Sequence, residues 1–181
     1  MLKKIFILTI LFSTPFLFAQ STDAIKYVGV KKCGMCHKKA KDGEQLKIWE
    51  NSKHAQAYTV LTTEKADKIA IEKGFTTKAV ETPECLKCHV TAYNVDASLL
   101  DKKYSKKDGV GCESCHGPGG DYAKNKIMKD KKLSIENGLM VYTDFKKELC
   151  ETCHNPDSPT FVARDLDKMW EEIKHNIPDK K

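Results

Sequence analysis

Eight cysteines and six histidines carry the chemistry of this 181-residue chain, and their spacing is regular. Cys33-Gly-Met-Cys36-His37, Cys85-Leu-Lys-Cys88-His89, Cys112-Glu-Ser-Cys115-His116 and Cys150-Glu-Thr-Cys153-His154 repeat one pattern, Cys-x-x-Cys-His, and use every cysteine. A zinc site, a disulfide or a redox-active dithiol would use the paired thiols, but none of them needs a histidine directly after the second one. Covalent attachment of c-type haem does. Each thiol adds across one porphyrin vinyl group, the two-residue spacer matches the separation of the vinyls, and the next residue falls under the iron. The repeats therefore predict four covalently bound haem c groups, with His37, His89, His116 and His154 each an axial ligand of one iron.

What binds the far side of each iron decides the chemistry. Only His54 and His175 remain, enough to complete two bis-histidine irons, which are low-potential electron carriers compared with Met/His ones. The other two irons must use something else. The thioethers available are Met35, Met128, Met140 and Met169. Met35 lies inside its own haem motif, and gap-filling is the simpler role for the rest. A lysine amine or a water molecule is the alternative, and an iron left open on one side binds small molecules. Tyr93, Tyr122 and Glu113 lie near the motifs and are the candidate proton donors for such a site, although both residue types also serve commonly in packing and at surfaces.

These groups must be positioned by short elements. Residues 44 to 61 read as one helix, with Leu46, Trp49, His54, Ala57, Val60 and Leu61 on a shared face that turns His54 inward. A second helix runs from Glu64 to about Lys73 and ends at Gly74. Residues 90 to 108 read as loop, and the short interval from Cys85 to Cys112 makes the second and third haems neighbours. Glycines surround the third motif at Gly109, Gly111, Gly117, Gly119 and Gly120, leaving room for a flat macrocycle where a Cβ would collide. The last helix spans Asp165 to Lys174, with Leu166, Met169, Trp170, Ile173 and Ile177 as its apolar face. His175 points away from that face on an ideal helix, but the Asn176-Ile177-Pro178 sequence lets the helix end and the side chain turn.

Lys3 and Lys4 precede an apolar run that ends at Ala19, so residues 1–19 read as a cleaved secretory signal peptide. An uncleaved anchor is the alternative, because Leu17 is larger than the usual residue two before the cut. Either places residues 20–181, one domain by length, in the periplasm, with no stable membrane insertion expected of the folded part. Four macrocycles in so small a domain, about one per 40 residues, leave the haems themselves as the core. The expected fold is mostly α, a small single multihaem domain with little sheet.

The formal charge of +6 falls by two to +4 once Lys3 and Lys4 are removed, and haem propionates oppose the rest. The basic balance is therefore no indication of nucleic acid binding. Lys124, Lys126, Lys129, Lys131 and Lys132 read as a solvated face, with docking of an acidic redox partner as the alternative.

WENSKHAQAY around His54, PECLKCH, GVGCESCHGPGG, and CHNPDSPTF followed by a terminal helix with IKH resemble the cytochrome c-554 family of tetrahaem carriers. The resemblance implies closely packed haem pairs, and His54 and His175 in the places of distal ligands. That family typically has three bis-histidine irons and one five-coordinate iron. This chain departs from it, with no histidine between His116 and His154.

The expected function is electron transfer between redox partners, such as a multihaem oxidoreductase or other cytochromes, by Fe(III)/Fe(II) cycling. The alternative is reduction of a small ligand such as nitric oxide at a five-coordinate haem. A non-catalytic carrier is the simpler of the two, because no other catalytic group is recognisable.

Overall fold

The structure is a computed structural model and describes residues 25–142 and 144–175. The leader expected at 1–19, the first residues after it and Ile177 lie outside them.

A Cys-x-x-Cys-His sequence wound into one helical turn puts positions i, i+3 and i+4 on a common face. The helices of this chain do that. In chain order they are α1 Val30–His37, α2 Gln45–Glu50, α3 Ala57–Val60, α4 Glu64–Glu72, α5 Pro83–His89, α6 Cys112–His116, α7 Asn125–Met128, α8 Lys131–Glu136, α9 Lys147–Glu151 and α10 Leu166–Ile173. The first three motifs form the ends of α1, α5 and α6, each of which stops on its own histidine. The fourth starts in α9 and completes its turn beyond it, with the His154 amide donating to the Cys150 carbonyl at 2.9 Å.

Local chemistry sets the ends. Pro83 occupies the first turn of α5, where its missing N–H is not needed. The Thr63 hydroxyl accepts from the Ala66 amide to start α4, and Gly74 at φ +84° closes it while the Phe75 amide returns to the Ala70 carbonyl.

The single helix expected over residues 44 to 61 is two helices with a turn between them. Asn51 donates its side-chain amide to the Lys47 carbonyl, and the Ser52 hydroxyl donates to that of Trp49. Both side chains satisfy carbonyls at the end of α2 and so stop it. His54 consequently sits in the turn before α3, and not on a continuous helical face.

No β-strand forms among the described residues; Tyr27 and Leu100 make one isolated parallel bridge. The molecule is mostly helical and a single small domain. None of its described helices is long and apolar enough to cross a membrane.

Apolar packing is sparse. One cluster joins Leu61, Ala70 and Ala79 to the flanking Phe75, Val80 and Leu86, binding α3, α4, the 3₁₀ turn Ala79–Glu81 and α5 together. Elsewhere polar groups hold the chain. The Glu113 side chain, in a residue 4% exposed, accepts from the backbone amides of Val28, Gly29 and Gly119 at 2.7–2.8 Å. Buried Thr91 accepts from the Gly111 amide at 2.7 Å and shares a 2.7 Å hydrogen bond with the Ser114 hydroxyl. These bonds tie the second motif to the third.

The glycines of the third motif serve protein contacts. Gly109 has φ +69°, and a Cβ there would lie 2.7 Å from the His54 carbonyl oxygen. At Gly111 and Gly119 it would meet Val30 and Val28 side chains at 2.7 and 2.9 Å, and at Gly120 the Lys26 backbone at 2.9 Å. At these four positions the chain approaches itself closely.

Candidate haem sites

An imidazole ligates a metal through one nitrogen, and the hydrogen bond of the other fixes which nitrogen that is. His89 Nδ1 lies 2.6 Å from the Ala57 carbonyl oxygen, and His116 Nδ1 lies 2.7 Å from that of Met140. A carbonyl can only accept, so Nδ1 donates in both rings and Nε2 keeps its lone pair. Two of the four motif histidines are thereby set in the tautomer that binds a metal through Nε2.

The two histidines outside the motifs each face a motif histidine. The rings of His54 and His154 have centroids 6.2 Å apart, and those of His116 and His175 are 5.7 Å apart. A metal between two imidazoles, with each nitrogen about 2 Å away and each ring centre about 1 Å further, separates the centroids by about 6 Å. Both pairs match that spacing.

The chain reaches these positions in different ways. The His54 carbonyl accepts from the amides of Ala57 and Val110, which pins its turn between α3 and the third motif. For His175, α10 stops at Ile173 and Lys174 turns to φ −59°, ψ 147°, carrying the next residue out of the helical path. That is the turn expected from the Asn176-Ile177-Pro178 sequence. Burial is the main reason why His54, His154 and His175 all hold their protons less tightly than usual; His154 adds to the effect at His54, and His116 and His37 add to it at His175. All three rings therefore favour the neutral form that a metal needs. His175 Nδ1 is buried and has no hydrogen-bond partner among the described residues. A buried ring nitrogen without a partner calls for an explanation, and a ligand role supplies one.

The eight cysteines are all free thiols. Cys33 interacts with Cys112, Cys88 with Cys153, and Cys115 with Cys150. These contacts link the motifs in the order first, third, fourth, second. The hydrogen bond to Cys112, reinforced by burial, raises Cys33, and burial pushes Cys88 and Cys115 up to about 11. The same hydrogen bond lowers Cys112, so the shifts differ in sign within the contacting pair. Among the described residues no three His, Cys, Asp or Glu side chains converge to hold a bare metal ion.

The family model for cytochrome c554 and c-prime matches residues 32–117, which hold the first three motifs and His54. Cytochrome c-554 of Nitrosomonas europaea is 30% identical over 143 residues, covering 71% of this chain and 57% of that protein. The chain belongs to the cytochrome c-554 family. It spans 57% of the length of that curated relative, and no solved structure matches it.

For a member of the cytochrome c-554 family the donor set is consistent with covalently bound haem c, with paired thiols on one helical turn, a histidine after them and imidazoles at metal-bridging distance. The fourth motif and His175 lie beyond the matched residues 32–117, so their pairing rests on geometry. Among the described residues neither His37 nor His89 makes a ring pair with a second histidine, although His37 is near enough to His175 to act on its charge.

The remaining candidates have other partners. Met35 is 54% exposed and its sulfur accepts from the Lys103 ammonium. The Met140 sulfur accepts from the Tyr142 hydroxyl, and the Met128 sulfur from that of Ser134. Met169 lies half-buried on α10. Glu113 is occupied by three backbone amides, and the Tyr122 hydroxyl donates to the Gly117 carbonyl. Neither is a proton donor in waiting, and Tyr93 is half-buried in the turn after α5. What the sequence does not display is the pair of backbone carbonyls, from Ala57 and Met140, that orient His89 and His116. A carbonyl leaves no mark on residue type.

Proposed function

We propose that this chain is a periplasmic tetrahaem c-type cytochrome that passes single electrons between redox partner proteins. The observation that carries the proposal is the facing of His54 with His154 and of His175 with His116 at 6.2 and 5.7 Å. Bound haem c supplies the Fe(III)/Fe(II) couple. Cys33 and Cys36, Cys85 and Cys88, Cys112 and Cys115, and Cys150 and Cys153 anchor one group each, and His37, His89, His116 and His154 each bind one iron. His54 and His175 complete two of the irons and favour a low potential there. The thiol contacts support a continuous series of sites, first to third to fourth to second. Lys3, Lys4 and the apolar run to Ala19 support export to the periplasm.

The test is haem stoichiometry of the exported protein together with the low-temperature EPR spectrum of its oxidised form. Four haems per chain, two of them low-spin through histidine pairs, are expected. Fewer haems, or no exchange of electrons with host cytochromes and multihaem oxidoreductases, would overturn the proposal.

A second reading follows from the placement of the two spare histidines. With both given to the third and fourth motifs, His37 and His89 are left to irons that bind a small ligand such as nitric oxide on the other side. A nitrosyl signal after reduction under nitric oxide is expected. Turnover no faster than that of free haem would confine these sites to binding.

A further inference from the structure

Arg164 is the single arginine in a chain that otherwise takes its positive charge from lysine. It lines a cavity of about 380 Å³ together with His154, Phe145, Phe161, Lys147 and Asp165. Of the other charged groups on the cavity wall, Lys147 pairs with Glu151 at 3.3 Å and Asp165 with Lys168 at 3.4 Å, while Asp167 makes no ion pair with a described residue. Arg164 makes no ion pair or hydrogen bond with any described residue. Its guanidinium is a planar fork of donors shaped for two oxygens of one carboxylate, which a lysine ammonium is not.

A cavity that joins a metal-binding histidine, two aromatic rings and an unpaired guanidinium matches the three parts of a haem: iron, flat apolar macrocycle and carboxylate edge. We propose that Arg164 holds a propionate of the haem attached at Cys150 and Cys153 and raises the reduction potential of that haem by placing a fixed positive charge beside it. This rests on the reading of the fourth motif as a haem site. The charge favours the reduced iron, which carries one positive charge less. Two irons with like ligands, His175/His116 and His54/His154, then differ through this residue, and electrons settle preferentially on the fourth.

The test uses the holo-protein. His54→Ala first identifies the fourth haem, as the low-spin EPR signal that becomes high-spin. If no signal changes, the haem-site reading itself has failed. With the signal assigned, a redox titration followed by EPR compares wild type with Arg164→Gln. At a fixed potential the reduced-to-oxidised ratio of the fourth haem should fall about tenfold, which is about 59 mV for one electron, while the others move much less. Arg164→Lys should recover most of the shift, and Asp167→Asn, on the same cavity wall, should move the fourth haem the opposite way. The inference is overturned if all haems shift equally in Arg164→Gln, or if Arg164→Lys falls as far as Arg164→Gln at unchanged haem content. Should Arg164→Gln fail to mature, an unshifted fourth haem in Asp167→Asn overturns it.

Discussion

The ring of His54 stands 6.2 Å from that of His154 at a tilt of 54°, although one belongs to the turn before α3 and the other to the turn after α9. That spacing leaves room for an atom bridging two nitrogens, although tilted rings in simple contact also fall in this range. We expect His54→Ala to convert one iron of the oxidised protein from low to high spin at unchanged haem content, because the thioethers still hold the porphyrin. His175→Ala should convert a different iron, and the double variant should show both changes, as independent sites do. EPR reads each outcome. An unchanged spectrum would remove that histidine from the ligand set.

Glu113 lies inside the third motif, where a carboxylate invites a catalytic role. Its three hydrogen bonds from Val28, Gly29 and Gly119 argue for a structural one. Glutamine keeps one acceptor oxygen but replaces the other with a donor facing an N–H. Hydrogen bonds to a charged group contribute about 1.5–3 kcal/mol, and an unsatisfied buried donor costs about 1–3 kcal/mol. Glu113→Gln should therefore destabilise the holo-protein by about 3 kcal/mol in urea unfolding and leave spin states and ligand binding unchanged. Altered nitric oxide chemistry at unchanged stability would reverse the assignment.

The candidate site was largely legible in the sequence, because thioether attachment needs fixed residue types at fixed spacing and leaves few histidines to place. The pairing was not. His54 and His175 could each be offered to any iron, and only the chain path, set by Asn51 and Ser52 at one end and Lys174 at the other, selects His154 and His116. The helix expected over residues 44 to 61 failed for a related reason. Apolar periodicity continues through the break, whereas the side chains that stop α2 are small polar residues whose capping depends on backbone geometry. The glycines of the third motif were visible as a demand for close approach, but the partner that approaches was not.

Burial is the first cause holding the His54 and His175 imidazoles below the usual 6.5. A lowered histidine pKa favours the neutral ring in the folded state. Its contribution to stability is complete above about pH 6.5 and is lost as pH falls below that value, because the unfolded chain then takes up protons that the folded sites refuse. Iron ligation acts in the same direction. Urea midpoints should be level from about pH 8 to 6.5 and decline below that. The His54→Ala, His175→Ala double variant should decline less steeply. Equal slopes would show that other groups govern the acid limb.

The longest described helix, α4, has nine residues, and α3 and α7 have four each. Isolated helices shorter than about 12–15 residues are marginal in water, so these must be held by packing. Protein-to-protein apolar packing is concentrated in the Leu61, Ala70 and Ala79 cluster, which joins α3, α4 and α5. Around the first, third and fourth motifs polar staples and short turns take its place. We therefore expect haem to provide most of the missing core. Chain produced without haem attachment should lose most of its far-ultraviolet helical signal, with slow amide exchange surviving only within about residues 57 to 90. A cooperative unfolding transition of the whole haem-free chain, with protection extending to α6 and α10, would show that the polypeptide alone suffices.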